Sequence, residues 1–155
     1  MPRNDRPSTV RTTLATLAAW FVLVALLPVL AQAQAVTPPK GSPERAAILD
    51  SLRLRAESEL GPPVEFVVGQ MRVVGEWAYV NAIPQRKGGG PIPWTYTRYQ
   101  QHKDDGGFEE ALEALLRNTP EGWLVYEFAL GGTDPAFVSW TNLYPAPPEV
   151  FPTLN

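Results

Sequence analysis

Between Ser42 and Leu60 the apolar residues fall at helical spacing: Leu49, Leu52, Ala56 and Leu60 recur three and four apart, with Ile48 beside them, which gives one buried stripe. Ser42-Pro43-Glu44 supplies the start of that helix, through a hydroxyl for free N–H groups, a proline whose missing donor is not needed there, and a carboxylate near the positive end of the dipole. Gly61 before Pro62-Pro63 ends it. Arg53 and Glu57, four apart, read as a solvated pair on the outer face. The period then changes. Val64 to Val74 is dense in β-branched and aromatic residues and too apolar on both faces for an exposed ribbon, so one face is expected against the helix. Gly75-Glu76 separates it from Trp77 to Ile83, and a two-residue loop opening with glycine suits a type II′ hairpin. Pro84 ends the second strand, and Arg86 to Pro93, with three consecutive glycines, reads as a mobile loop.

Phe108 to Arg117 supports two readings. Ala111, Leu112, Leu115 and Leu116 fit a helix, as do the Glu and Ala propensities. Read as a strand, the segment pairs through Asn118 to Gly122 with Trp123 to Leu130, whose Val, Tyr and Phe content is strongly β. The expectation is strand from Glu113 onward with a helical turn before it. Gly131-Gly132 closes the last strand, and Asp134-Pro135 resembles a helix cap and first-turn proline for a short helix over Ala136 to Leu143. Pro145, Pro147, Pro148 and Pro152 make the remainder an extended strap. Trp77, Trp123 and Trp140 are assigned to the core. The expected fold class is therefore α+β: an N-terminal helix packed on a curved antiparallel sheet of about four strands, a short C-terminal helix and an extended tail.

Ahead of this pattern lies a different one. Arg3, Arg6 and Arg11 precede an apolar run from Leu14 to Leu30, and Ala31-Gln32-Ala33 and Ala33-Gln34-Ala35 both fit the small-x-small cleavage rule. Residues 1–35 are read as a signal peptide, cleaved near Ala33 or Ala35. An uncleaved anchor is the alternative, since a span needs about 17–25 apolar residues. Residues 36–41 are read as a linker, with Pro38 and Pro39 making it extended, and residues 42–155 as one α+β domain. The expected location is the periplasm or beyond, with membrane contact only through the leader if it is retained.

Composition narrows the function. The 155-residue chain has no cysteine, so packing replaces disulfides, and a lipid anchor at the cleavage site is excluded. Loss of the leader removes three of 13 basic residues and one of 16 acidic residues, moving the net charge from −3 to −5. Such a surface does not draw phosphate backbones, so nucleic acid is not expected as a partner. One histidine and no cysteine leave few ways to build a zinc site, and Asp104-Asp105-Gly106-Gly107 is not a calcium loop. Adjacent arginines of the twin-arginine kind are missing from the leader, which argues against a cofactor loaded before export.

His102 with Asp104 or Asp105 lacks the nucleophile elbow of a hydrolase and sits in a polar loop. Glu65, Glu76 and Glu127 show no spacing that selects a glycosidase pair. Arg86-Lys87-Gly88-Gly89-Gly90 is not a phosphate loop, since no helix opens behind it with Gly-Lys-Ser/Thr. Asp134 is the most tempting single acid, although capping alone explains it. Trp94, Tyr96 and Tyr99 alternate with polar residues, where exposed rings with polar tips suit a sugar, a peptide or a partner surface; burial as ordinary core is the competing reading. Trp94, Tyr96, Tyr99 and Asp134 are therefore the candidate ligand-binding residues, with no catalytic residue, metal or cofactor assigned.

Gly75-Glu76-Trp77-Ala78-Tyr79-Val80, Pro84-Gln85, Gly90-Pro91-Ile92-Pro93-Trp94, Ala114-Leu115-Leu116-Arg117, Gly122-Trp123-Leu124-Val125, Gly131 with Thr133-Asp134, and Trp140 through Tyr144, Pro147 and Phe151 occur in this order. In that order they resemble a group of short exported bacterial proteins. The resemblance implies a helix on a curved antiparallel sheet, similar to cystatin-like or nuclear-transport-factor-like folds, and implies no reaction. Glu109, Glu110 and Glu113 depart from that pattern ahead of the third strand. The expected role is an exported accessory or binding domain that recognises a cell-envelope component, such as a glycan, peptide or protein, or a small ligand. The alternative is a small enzyme with a pocket between helix and sheet and Asp134 or His102 as acid or base.

Overall fold

Ser42 meets its expected use: its Oγ accepts the Arg45 N–H at 3.3 Å and opens α1, Pro43–Leu60. Ile48, Leu52, Ala56 and Leu60 form the buried stripe, Leu49 is half-buried beside it, and Gly61 closes the helix with its N–H on the Glu57 carbonyl. The computed structural model describes residues 33–154, so the leader reading for residues 1–32 lies outside the described residues. No helix among the described residues is long and apolar enough to cross a membrane.

Four strands follow: β1, Glu65–Val74; β2, Trp77–Gln85; β3, Glu109–Thr119; and β4, Gly122–Gly131. They pair antiparallel in chain order as one open sheet, so the fold is α+β, with α1 ahead of the sheet and the short α3, Phe137–Trp140, after it. Val74 faces Trp77 across the two-residue Gly75-Glu76 turn, where Gly75 takes φ 57. Only the first position of that turn needs a positive φ, which is what a glycine-first hairpin provides. Register shifts between Val68 and Gln70 and between Leu115 and Leu116 bend the sheet.

Alternation along the strands produces two apolar faces. Val80, Ala82, Leu112, Ala114 and Leu116 turn toward Ile48 and Leu52 of α1. Trp77, Tyr79 and Leu115 turn the other way and are covered by Phe137, Trp140, Val150 and Phe151 of the C-terminal strap. Trp77, Trp123 and Trp140 are all buried. The strap is fastened by Arg72, whose guanidinium donates to the Glu149 carbonyl at 2.7 and 3.2 Å. The sheet is thus the middle of three layers.

Five expectations need correction. Strand β3 begins at Glu109, not near Glu113, because Glu109 pairs with Gly131 and the ladder overrides the helical propensity of Glu109, Glu110 and Ala111. Residues 36–41 are extended but not a free linker: Val36 exchanges two backbone hydrogen bonds with Val73, at 2.9 and 2.8 Å, and Pro38 is buried. Arg53 and Glu57 do not pair with each other. Arg53 Nε donates to the Val64 carbonyl at 3.0 Å and Val64 N donates to Glu57 Oε1 at 2.9 Å, so the two clamp the chain where it turns back. The Arg86 loop is tied down, since Arg86 bridges Gly90 and its guanidinium donates to the carbonyls of Leu60, Gly61 and Pro63, completing the end of α1. His102 lies not in a loop but on a short helix, α2, Gln100–Asp104.

Candidate ligand-binding site

The segment from Trp94 to Tyr99 separates its rings. A 3₁₀ turn over Trp94–Tyr96 replaces the expected alternation, and in a helix of three residues per turn the first and third side chains point in different directions. Trp94 and Tyr99 are 5% and 8% exposed, packed with Ala56, Leu60, Val64 and Ile92, while Tyr96 is 90% exposed. Trp94 meets Phe108 edge-on, with centroids 4.8 Å apart, and Tyr99 lies 5.8 Å from the same ring. The two rings cover the C-terminal end of α1, where Ala56 and Leu60 share one cluster with Phe66, Phe128 and Leu130 of the edge strands. Glu59 draws the segment in. Its side chain is 6% exposed and takes Arg98 at 2.8 Å together with Arg55 and the Tyr99 hydroxyl. Burial, and then the Glu59 hydrogen bond, push the Tyr99 hydroxyl above the ordinary tyrosine range. Of the two readings of these rings, burial as core holds for Trp94 and Tyr99, and only Tyr96 is an exposed ring.

Asp134 is exposed and does not cap a helix. Helix α3 begins at Phe137, shorter than the span expected from Ala136 to Leu143, and no side chain at its N-cap residue, Ala136, bonds to it. The free amide there is answered from β3: Phe137 N donates to Glu113 Oε2 at 3.0 Å. Burial raises Glu113 above the usual carboxylate range, while the N–H groups of Phe137 and Ala136 and the Tyr79 hydroxyl pull the other way. The Tyr79 hydroxyl is raised well above the ordinary tyrosine range by burial first, and then by the charge and hydrogen bond of Glu113.

Gly132, Thr133 and Asp134 form a wall shared by two recesses. On one side lies a small depression of about 110 Å3 over the outer sheet face, lined by Asn81, Glu109 and Glu113 among others. On the other lies a recess of about 400 Å3 whose floor is Phe108 and Leu130, with the edge of Tyr99 beside them and His102, Thr133 and Asp134 at its rim. Gly131 sets this geometry. It takes φ 86, and a methyl group built on it would overlap the Phe108 ring, so the ring packs directly on the backbone at the end of β4.

Of the four candidate residues, Asp134 and Tyr99 border the larger recess, whereas Trp94 lies in the core and Tyr96 stands apart in solvent. His102, from the alternative reading, joins Asp134 on the rim. Both are exposed, and among the described residues neither is held by a side-chain hydrogen bond. Glu65, Glu76 and Glu127 are dispersed, engaged by Gly88 N, Arg117 and Tyr144 respectively. Among the described residues no cluster of three or more His, Asp or Glu is placed to hold a metal ion. Sequence reasoning missed Phe108 and Glu113. Glu113 had one signal, an acid between Leu112 and Ala114 in a stretch otherwise apolar through Leu116.

Comparison of the chain with protein-family models, with curated proteins and with solved structures gave no match. The site's chemistry therefore stands on its geometry.

Proposed function

We propose that this is an exported recognition domain of the cell envelope, and that it holds a glycan or peptide component in the recess rimmed by His102, Thr133 and Asp134. One observation carries the reading: a concavity of about 400 Å3 combines an apolar floor of Phe108 and Leu130 with polar groups on its rim. A pyranose ring or a short peptide needs that combination, with one apolar face to stack and several polar groups to bond. The exposure of His102 and Asp134 favours recognition over catalysis. Export itself rests on the arginine-rich start, the apolar run and the alanine-rich exit of the leader.

The test is retention of the purified domain on cell wall. Replacing Trp94 and Tyr99 would be a poor probe, since truncating a buried large aromatic costs about 3–5 kcal/mol and would report on the core. The informative variant is His102→Ala with Asp134→Ala, both at exposed positions. Wild type should be retained, and the double variant should be lost from the wall with its urea unfolding curve unchanged. Failure of the wild type to bind, or full retention of the variant, overturns the proposal.

A further inference from the structure

Strand β1 lies at an edge of the sheet, and one of its residues is already paired from outside, where Val36 exchanges both backbone bonds with Val73. That pairing stops for a chemical reason. The next residue in register to face β1 is Pro38, which has no N–H to give, and the Met71 carbonyl takes the Thr37 hydroxyl instead, at 2.9 Å. Farther along, Phe66 stands opposite Pro84, which cannot donate to it, so the main-chain groups of Phe66 face outward. From Phe66 to Gln70 no strand or loop among the described residues pairs with this edge. The edge runs beside the first half of α1, and a groove of about 380 Å3 lies between them. Leu49, Phe66 and Val68 line it, with Lys40 and Arg45 at the Met71 end, where Arg45 reaches the Pro38 carbonyl at 3.3 Å and Met71 Sδ at 3.6 Å. Neither cation forms an ion pair among the described residues, in a chain where acids outnumber bases.

We propose that this groove takes an acidic extended peptide as a fifth strand, its main chain pairing with β1 from Phe66 toward Met71 and a carboxylate held by Lys40 and Arg45. A strand edge selects for alternating N–H and C=O groups at strand spacing, which a peptide carries and a glycan or nucleic acid does not. The apolar lining takes alternate side chains, and the unpaired cations set the sign of the ligand. This site is separate from the recess at Asp134, so either proposal can fail alone.

The probe is a synthetic Thr-Val repeat carrying two glutamates at one end or the other, with a matching peptide in which lysines replace the glutamates. Amide hydrogen exchange, resolved by residue, is the readout on the purified domain. An acidic peptide should slow exchange at the Phe66 to Met71 edge by tenfold or more, and the lysine peptides should not. Lys40→Glu with Arg45→Glu should reverse that preference; Lys40→Glu alone, at an exposed residue, should weaken it without touching the fold. The proposal is overturned if neither acidic peptide protects this edge, if protection falls on β4 instead, or if charge reversal leaves the preference unchanged.

Discussion

Replacing Gly131 by alanine tests the packing that shapes the larger recess. Two costs arise. A side chain at φ 86 sits in the left-handed region, where a non-glycine residue pays roughly 1–2 kcal/mol. The new methyl group also overlaps the Phe108 ring, which must leave its edge-on contact with Trp94 and its tilted contact with Tyr99. Such aromatic pairs contribute about 0.5–1.5 kcal/mol each. The total expected for Gly131→Ala is about 2–5 kcal/mol, read from urea unfolding with the slope unchanged. The same substitution made in a Phe108→Ala background separates the two parts. With the ring gone only the backbone cost remains, so Gly131→Ala should then cost about 1–2 kcal/mol. A cost below about 1 kcal/mol in the wild-type background, or equal costs in both, would refute the argument that the ring rests on the glycine.

Two further predictions concern stability. Because burial raises Glu113 above its unfolded value, its contribution is fully present at low pH and is lost as pH rises through its folded titration. Glu113→Gln keeps an acceptor for Phe137 N without a buried charge, so its stability relative to wild type should increase with pH from about 4 upward and then level off; a difference constant with pH rejects this. Arg86→Ala removes the donors to Leu60, Gly61 and Pro63 and should cost about 1.5–3 kcal/mol in urea unfolding, the range for charge-assisted bonds. Arg86→Lys should recover less than half of that, because an ammonium cannot span three carbonyls as a planar fork does; full recovery would show that charge alone suffices.

Helix α1 and the first hairpin were readable because their determinants are local. Ser42, Pro43 and Gly61 act within a turn of the residues they cap, and the Gly75-Glu76 turn sets its own register. What escaped depends on chain partners distant in sequence. Glu109 and Glu110 carry no strand signal and join the sheet because β4 returns alongside them, with Gly131 opposite Glu109. Glu57 and Arg53 show their use only once Val64 folds back against them. For the Trp94 to Tyr99 segment the sequence supports both exposed rings and buried ones; Trp94 and Tyr99 are buried and Tyr96 is exposed, a division made by the 3₁₀ turn that composition does not signal. The capping that Asp134-Pro135 suggests falls instead to Glu113, 24 residues from Phe137. In the candidate site, Asp134 and Tyr99 carry a signal in the sequence and border the recess, whereas Phe108, which lines it with them, carries none.

The two ends of the described chain converge on β1. Val36 is stitched to Val73, and Glu149 is gripped by Arg72 one residue earlier. Val150 and Phe151, 0% and 4% exposed, are the plug over Tyr79. Synthesis from the N-terminus therefore delivers α1 and all four strands before residues 148–151, and the sheet face around Tyr79 stays open until that last segment packs on it.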